Sequence, residues 1–352
     1  MTTNRKDRVA ILGATGYGGG ELLRLCLQDP KVEVVFATSR NRAGVPVEKV
    51  HRNLTGVSNL AFTDPTHEQL TVECDFIFGA LPHGASAEVL GPLVDAGKRV
   101  IDLSGDFRLK DMDEYRKWYG REHPRPDLIA SAVYGCPEVN RQAIAKARLV
   151  ASPGCFATAI NLALLPAASE GMLTGRPSVV ALTGSSGAGA TVRETTHHPV
   201  RAESARAYKV LEHQHVPECV QTLREAGSPA LDGLDFTPVS IPIIRGIIAI
   251  ATAKLRDPVT ELQLRDLYEL YYNKEYFVKT VLDREPECQS IAGTNFAEVR
   301  PRRTPAGELH AICTLDNLVK GGAGQGYQCY RLMSPNQPDE TAPPLGWLGT
   351  WP

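Results

Sequence analysis

No apolar run in the sequence approaches the roughly 18–20 residues of a membrane span. The first residues, MTTNRKDR, are polar where a secretory signal would carry an apolar stretch. No membrane partner is expected, and the cytoplasm is the expected compartment. Neither sign of charge is in excess: 38 Lys+Arg against 40 Asp+Glu leave a net charge of -2, which gives no electrostatic reason to expect nucleic acid. The densest basic cluster, Arg300, Arg302 and Arg303, is broken by Pro301 and reads as a solvated loop. None of the eight cysteines (Cys26, Cys74, Cys136, Cys155, Cys219, Cys288, Cys313 and Cys329) stands in a CxxC pair, so neither a disulfide framework nor a zinc site is expected. Most read as small buried hydrophobes, with one free to serve as a nucleophile. No tyrosine has a lysine four residues on, which removes the short-chain dehydrogenase and epimerase chemistry. Internal repeats and low-complexity segments are absent.

What is present is an ordinary globular composition, 43% hydrophobic and 22% charged over 352 residues, enough for two or three domains. Strand-like runs at Val9–Leu12, Val32–Ala37, Cys74–Ala80 and Arg99–Leu103 alternate with helical patterns at Glu21–Leu27 and Ala85–Ala96. Such alternation predicts βαβ units around a parallel sheet. The texture changes near Ala151. Runs at Val179–Thr183, Phe236–Ile241, Ile247–Leu255, Phe277–Leu282, Glu298–Arg300 and Leu309–Leu315 predict a mixed, largely antiparallel sheet. A helix is expected over Thr260–Tyr272, another over Val319–Leu332 returning to the first domain, and an irregular tail after Met333.

The run VAIL leads into Gly13-Ala14-Thr15-Gly16-Tyr17-Gly18-Gly19 and then a helix. Glycines at 13, 16 and 19 between a strand and a helix let the backbone approach a pyrophosphate seated on the helix N-terminus. The second strand ends in Thr38-Ser39-Arg40-Asn41-Arg42, and no acid lies between Glu33 and Glu48 to hold a ribose 2′-hydroxyl. Ser39, Arg40 and Arg42 suit a 2′-phosphate instead, so NADP is expected over NAD.

Ser152-Pro153-Gly154-Cys155 precedes a helical pattern over Phe156–Pro166. Cys155 is thereby expected at a helix N-terminus, where the dipole favours thiolate. A thiolate nucleophile calls for an imidazole partner. The segment His213-Gln214-His215-Val216-Pro217-Glu218 offers two imidazoles, and His197-His198 two more. His213 and His215 on a strand could also ligate a metal, but no third ligand cluster of matching softness accompanies them and no metal is expected. The loop Gly184–Gly189 (GSSGAG) could turn N–H and hydroxyl donors toward a phosphate or cofactor.

GATGYGG at Gly13, ALPHG at Ala80, DLSGDFRL at Asp102, SPGC at Ser152, SSGAG at Ser185, RAYK at Arg206, HQHVPE at His213, IRG at Ile244 and DNLVKGGAG at Asp316 together make the chain resemble the N-acetyl-γ-glutamyl-phosphate reductase family, within the aspartate-semialdehyde dehydrogenase-like superfamily, over nearly its whole length. The resemblance implies a Rossmann-type NADP-binding domain over residues 1–154 and 319–352, with an inserted α+β catalytic and oligomerisation domain over 155–318. It implies Cys155 as nucleophile, His213 as acid/base and Asn317 near the nicotinamide. Thr15, Tyr17, Gly18, Pro82, Ser185 and Gly187 join the glycines as cofactor-binding residues. Ser152, Tyr208, His215 and Glu218 join the substrate pocket. The substrate is a small acyl phosphate that also carries a carboxylate, so arginines should line that pocket, with Arg108, Arg201, Arg206 and Arg245 as candidates. A homodimer or homotetramer is implied. The stretch HHPVRAESARAYK from His197, with SRNRAG and REHPRPDL, also resembles the lysine-biosynthesis branch that reduces aminoadipyl phosphate on an acidic carrier protein. In that case His197, His198, Arg201 and Arg206 would face the carrier. A non-enzymatic NADP-sensing regulator would explain the glycine turn but neither Cys155 nor the paired histidines.

Overall fold

Residues Asp7–Leu12 form β1, and alternate side chains enter opposite cores: Val9 and Ile11 on one face, Ala10 and Leu12 on the other. Burial of both faces is what a central strand of a parallel sheet requires. The computed structural model describes residues 5–337, 340–341, 349–350 and 352. Beyond β1 come α1 (Tyr17–Gln28), β2 (Val32–Thr38), β3 (Phe62–Thr63), α2 (His67–Glu73), β4 (Phe76–Gly79), α3 (Ser86–Asp95), β5 (Arg99–Asp102), α4 (Met112–Tyr119), β6 (Ala132–Tyr134), α5 (Pro137–Lys146) and β7 (Leu149–Ala151). The strands make one sheet in the order β3-β2-β1-β4-β5-β7-β6, with every pairing parallel. Chain order reverses between β1 and β4, the switch point at which a doubly wound sheet opens a crevice.

The second half contains α6 (Cys155–Ser169), β8 (Leu173–Thr183), α7 (His198–Arg201), β9 (Arg206–Ala207), α8 (His215–Ala226), β10 (Asp235–Ser240), β11 (Ile247–Leu255), α9 (Glu261–Tyr272), β12 (Val278–Thr280), α10 (Cys288–Ile291), β13 (Ala297–Arg303) and β14 (Leu309–Leu315). Its sheet runs β12-β13-β14-β11-β8-β10-β9. The pairings β12–β13 and β8–β10 are parallel and the rest are antiparallel. A π-turn over Val319–Ala323 leads into α11 (Gly324–Met333). The chain divides into two units, Met1–Pro153 with Gly322–Pro352 and Gly154–Gly321. Helix α11 docks into the first unit through buried carboxylates. Asp7 accepts from Tyr330 Oη (2.7 Å) and Ser334 Oγ (2.5 Å), and Asp29 from Tyr327 Oη (2.5 Å) and Arg331 Nη1 (2.8 Å). The tail expected to be irregular after Met333 lies largely outside the described residues. Among those residues, no helix is long and apolar enough to cross a membrane.

Arg300, Arg302 and Arg303 form part of a strand, not the expected loop: they end β13, paired to β14. Pro301 is tolerated because β12 stops pairing at Val299, which makes this an edge position. Glu285 pairs with both Arg300 and Arg302.

Helix α6 is apolar almost all round and lies against β8, β11, β13, β14, α8 and α9, as an all-apolar helix must. It runs on past the proline expected near its end. Pro166 has no N–H to give the Leu162 carbonyl. Tyr272 on α9 replaces that donor, its hydroxyl 2.6 Å from Leu162 O, and Tyr268 donates to Ala163 O at 2.6 Å. Tyr272→Phe leaves a buried carbonyl unsatisfied and is expected to cost about 1–3 kcal/mol, read as a lower urea midpoint. Tyr268→Phe should cost less, because the residue four beyond Ala163 is not a proline.

Candidate active site

The first unit holds a phosphate cradle at the head of α1. Gly16 is the N-cap, no side chain caps the helix, and its first turn carries no acid. Gly13 adopts φ +77°, and a Cβ there would strike the Ala80 carbonyl; a Cβ on Gly19 would come within 2.6 Å of Ala14 Cα and Gly13 O. These two positions have to be glycine for the turn to lie flat on β1 and β4. Thr38 fixes the turn from β2, accepting the Gly13 N–H on Oγ1 and the Ala14 N–H on its carbonyl. Thr15, Gly16, Tyr17 and Gly18 are partly exposed along it. Ser39 follows, and Arg40–Arg42 wind into a 3-10 turn with both guanidiniums exposed and no ion-pair partner among the described residues. Pro82 lies in the loop after β4, two residues beyond Ala80, whose carbonyl faces Gly13. A helix start without a side-chain cap and a turn that excludes side chains fit the pyrophosphate of a nicotinamide dinucleotide.

The DLSGDFRL segment organises the rim of this cradle. Asp106 accepts the Gly84 N–H (2.6 Å) and the Ala87 N–H (3.0 Å), and so occupies the N-terminus of α3. Asp102, fully buried, accepts from Ser86 and Ser104 hydroxyls at 2.6 Å each, and burial raises its pKa to about 6. Arg108, a candidate substrate ligand, donates to the carbonyls of Ser152 and Leu103, both at 2.8 Å. It thereby holds the turn that leads to Cys155. The Ser152 hydroxyl is buried without a hydrogen-bond partner.

In the second unit Cys155 is the first residue of α6, with Gly154 as N-cap, no side-chain cap and no acid in the first turn. Glu218, wholly buried on α8, accepts the Gly154 N–H at 2.8 Å, and the His215 ring fills the space where a Gly154 side chain would stand. Gly321, within the π-turn, would place a Cβ 2.9 Å from Cys155 Cβ, so the turn packs directly on the cysteine. π-turns of this kind recur at functional sites.

His213 and His215 lie on no strand: His213 precedes α8 and His215 is its first residue. His213 Nδ1 accepts the His215 backbone N–H at 3.2 Å, which leaves the ring proton on Nε2. The ring caps α8, satisfying one of its orphan donors. Phe156, Phe236, Tyr208 and His215 surround it edge-on. Burial, with Lys209 adding repulsion, lowers its pKa to about 3. Burial raises the pKa of the Tyr208 hydroxyl, and so does the charge of Cys155 near by.

Other expected ligands have structural partners. The loop at Ser185 presents fewer donors than expected. The N–H groups of Ser185 and Ser186 go to Ile243 O (2.9 Å) and Ile244 O (3.0 Å), and their hydroxyls bond the same carbonyls. The Gly187 N–H bonds Gly184 O. Asn317 accepts the Gly246 N–H at 2.8 Å and donates to Ser186 Oγ at 2.9 Å, tying three motifs together. Arg245 forms a buried ion pair with Asp316 at 3.2 Å. Arg201 and Arg206 differ. Burial lowers the Arg201 pKa, and so does the like charge of Arg206; its Nε and Nη2 are buried with no hydrogen-bond partner. Arg206 is exposed. Sequence reasoning missed the backbone-holding roles of Asp106, Arg108 and Asn317 and the packing of Gly321 on Cys155; only their presence inside the motifs signalled them.

Two family models match the chain: "Semialdehyde dehydrogenase, NAD binding domain" over residues 8–147 and "Semialdehyde dehydrogenase, dimerisation domain" over residues 155–317. Among solved structures, aspartate semialdehyde dehydrogenase II from Vibrio cholerae superposes with a TM-score of 0.71 at 17% identity, covering 94% of this chain and 98% of that one. The Candida albicans aspartate semialdehyde dehydrogenase with NADP gives 0.68 at 15%, covering 93% and 98%. At that identity the likeness is one of fold. Curated relatives are much nearer. The N-acetyl-γ-glutamyl-phosphate reductase of Nitrosococcus oceani is 43% identical over 93% of this chain and 95% of its own length. That of Ectopseudomonas mendocina is 44% identical over the same shares, and that of Methanopyrus kandleri 41% identical over 91% and 93%. With 91–93% of the chain matched at this identity, the chain belongs to the N-acetyl-γ-glutamyl-phosphate reductase family.

Proposed function

We propose that the protein reduces N-acetyl-γ-glutamyl phosphate to N-acetylglutamate 5-semialdehyde with NADPH, as a step of arginine biosynthesis. The observation that carries this reading is Cys155, first residue of a helix with no side-chain cap, whose next residue, Phe156, meets the buried, neutral His213 ring edge-on at 5.4 Å. The Cys155 thiolate, favoured by the α6 dipole, attacks the acyl carbon; the C–O bond to phosphate breaks and a thioester forms. What a bound NADPH supplies is the hydride that reduces the thioester carbon. The tetrahedral oxygen re-forms its carbonyl, the C–S bond breaks, and aldehyde leaves with the thiolate restored. His213 handles the proton at this site, holding its Nε2–H toward the oxygen that carries the developing charge. The cradle at Gly13–Gly19 holds the pyrophosphate, and Arg40 and Arg42 hold the 2′-phosphate. Arg201 and Arg206 meet the substrate anion. The names of the relatives support the acetylated substrate over a carrier-linked one. Copies of the chain pair through the second sheet's open face, where Val180, Ile250 and Ile312 share one register row and are at least partly exposed.

Three outcomes test this. Cys155→Ser should lower turnover by about three orders of magnitude or more and change NADPH binding no more than a few-fold; substantial residual turnover refutes the covalent route. Arg40→Ala should raise the KM for NADPH about tenfold, the worth of one charge-assisted bond, with the KM for NADH little moved. The last concerns pH. A His213 pKa lowered to about 3 keeps the ring neutral above that value. The pH profile of kcat/KM should therefore show no limb from His213 between pH 5 and 8, and its Cε1 proton resonance should not titrate there. An inflection near 6.5 that disappears in His213→Asn contradicts this.

A further inference from the structure

The cofactor turn accounts for Gly13, Gly16, Gly18 and Gly19, but a fifth glycine, Gly20, follows inside α1 and dinucleotide binding gives it no role. Its reason comes from the segment after Arg42. That segment folds back through two 3-10 turns, Val47–Lys49 and Arg52–Leu54, anchored by Val47 and Leu54, each 1% exposed. His51 lies between the turns, buried, and a Cβ on Gly20 would stand 2.5 Å from its Cε1 and 2.6 Å from its Nδ1. Gly20 is the space into which this ring fits.

His51 Nε2 is 2.7 Å from the Ala14 carbonyl oxygen. A carbonyl only accepts, so Nε2 carries the proton and donates. The orientation of the next peptide plane is then a matter of geometry. Across a trans peptide the C=O of one residue and the N–H of the following residue point in opposite directions. Drawing Ala14 O toward the buried ring turns the Thr15 N–H away from it. That N–H has no hydrogen-bond partner among the described residues, whereas its neighbours are engaged, Ala14 N–H to Thr38 O and Gly16 N–H to Gly13 O.

We propose that His51 is a positioning residue for the dinucleotide's pyrophosphate: from behind the cradle it locks the Ala14–Thr15 peptide so that the Thr15 N–H faces the phosphate oxygens. The proposal rests on the cofactor reading above and adds to it a residue 37 positions from the turn it controls. Its specific consequence is selectivity. His51 matters for ligands with a pyrophosphate, with or without a 2′-phosphate, whereas Arg40 matters for the 2′-phosphate.

The test measures dissociation constants of the full-length protein for NADPH, NADH and adenosine 2′-monophosphate, which has no pyrophosphate. His51→Ala should weaken NADPH and NADH alike, by about tenfold, and leave adenosine 2′-monophosphate within twofold. His51→Gln, whose amide can donate to Ala14 O, should recover most of the loss. Gly20→Ala, which displaces the ring, should give the same pattern, and it carries the test where His51→Ala does not fold. The double variant should be no worse than the weaker single one. Equal weakening of all three ligands marks a general structural role and overturns the proposal. So does a parent that binds NADPH and a His51→Ala variant that binds it equally well. A parent that binds neither dinucleotide overturns the cofactor reading itself.

Discussion

A helix N-terminus without a side-chain cap is the constraint that the head of α1 and the head of α6 share. Five helices here begin under a capping group. Thr66 caps α2, Asp111 caps α4 and Thr260 caps α9 with its side chain; Asp106 covers α3, and the His213 ring takes an N–H of α8. Helices α1 and α6 begin on glycine, Gly16 and Gly154, with no side-chain cap and no acid in the first turn. Capping by Ser, Thr or Asp stabilises a protein by about 1 kcal/mol, so leaving the starts of α1 and α6 without one costs stability. What it leaves is a pair of positive dipole ends, each able to favour an anion.

Opening the helix is not enough; the backbone has to be held at the right angle, and buried polar side chains do that work. Thr38 and His51 hold the turn before α1 from two sides. Arg108 holds the carbonyl of Ser152, and Glu218 the N–H of Gly154, on either side of Pro153. Asn317 joins the Ser186 loop to Gly246, and Asp316 accepts from Leu318 and Val319 as the chain enters the π-turn against Cys155. Many motif residues that look like ligands in the sequence are therefore the scaffold that aims the few groups left free.

Legibility divides along the same line. The parallel order of the first sheet, Cys155 at a helix start and the cofactor turn are readable because each depends on local pattern: a buried run, a glycine spacing, a Pro-Gly before a helix. Strands β3, β6 and β9 are two or three residues long and carry no periodicity, so the sequence does not reveal them. The arginines of β13 mislead, because exposed charge on one side of an edge strand looks like loop. His213 and His215 look like strand residues because alternation over three positions suits a strand, while the helix that begins at His215 is set by the residues C-terminal to it. Long-range partners such as Tyr272 with Leu162, or Gln325 with Gly135 O, leave no mark on either segment alone.

The four arginines expected in the substrate pocket show how structure separates residues that sequence leaves equal. Arg245 is bound to Asp316 in a pair whose carboxylate is fully buried. Breaking such a pair costs about 3–5 kcal/mol, more than one hydrogen bond to a substrate oxygen returns. Arg108 would have to release two backbone carbonyls at the turn before Cys155. Arg201 is in the opposite state. Its Nε and Nη2 are already dehydrated and unpaired, and Arg206 adds like charge near by. An anion placed there would meet two donors that no described protein group takes up and would offset the like charge of Arg206. Of the four, Arg201 is thus the one with buried donors that no described protein group takes up.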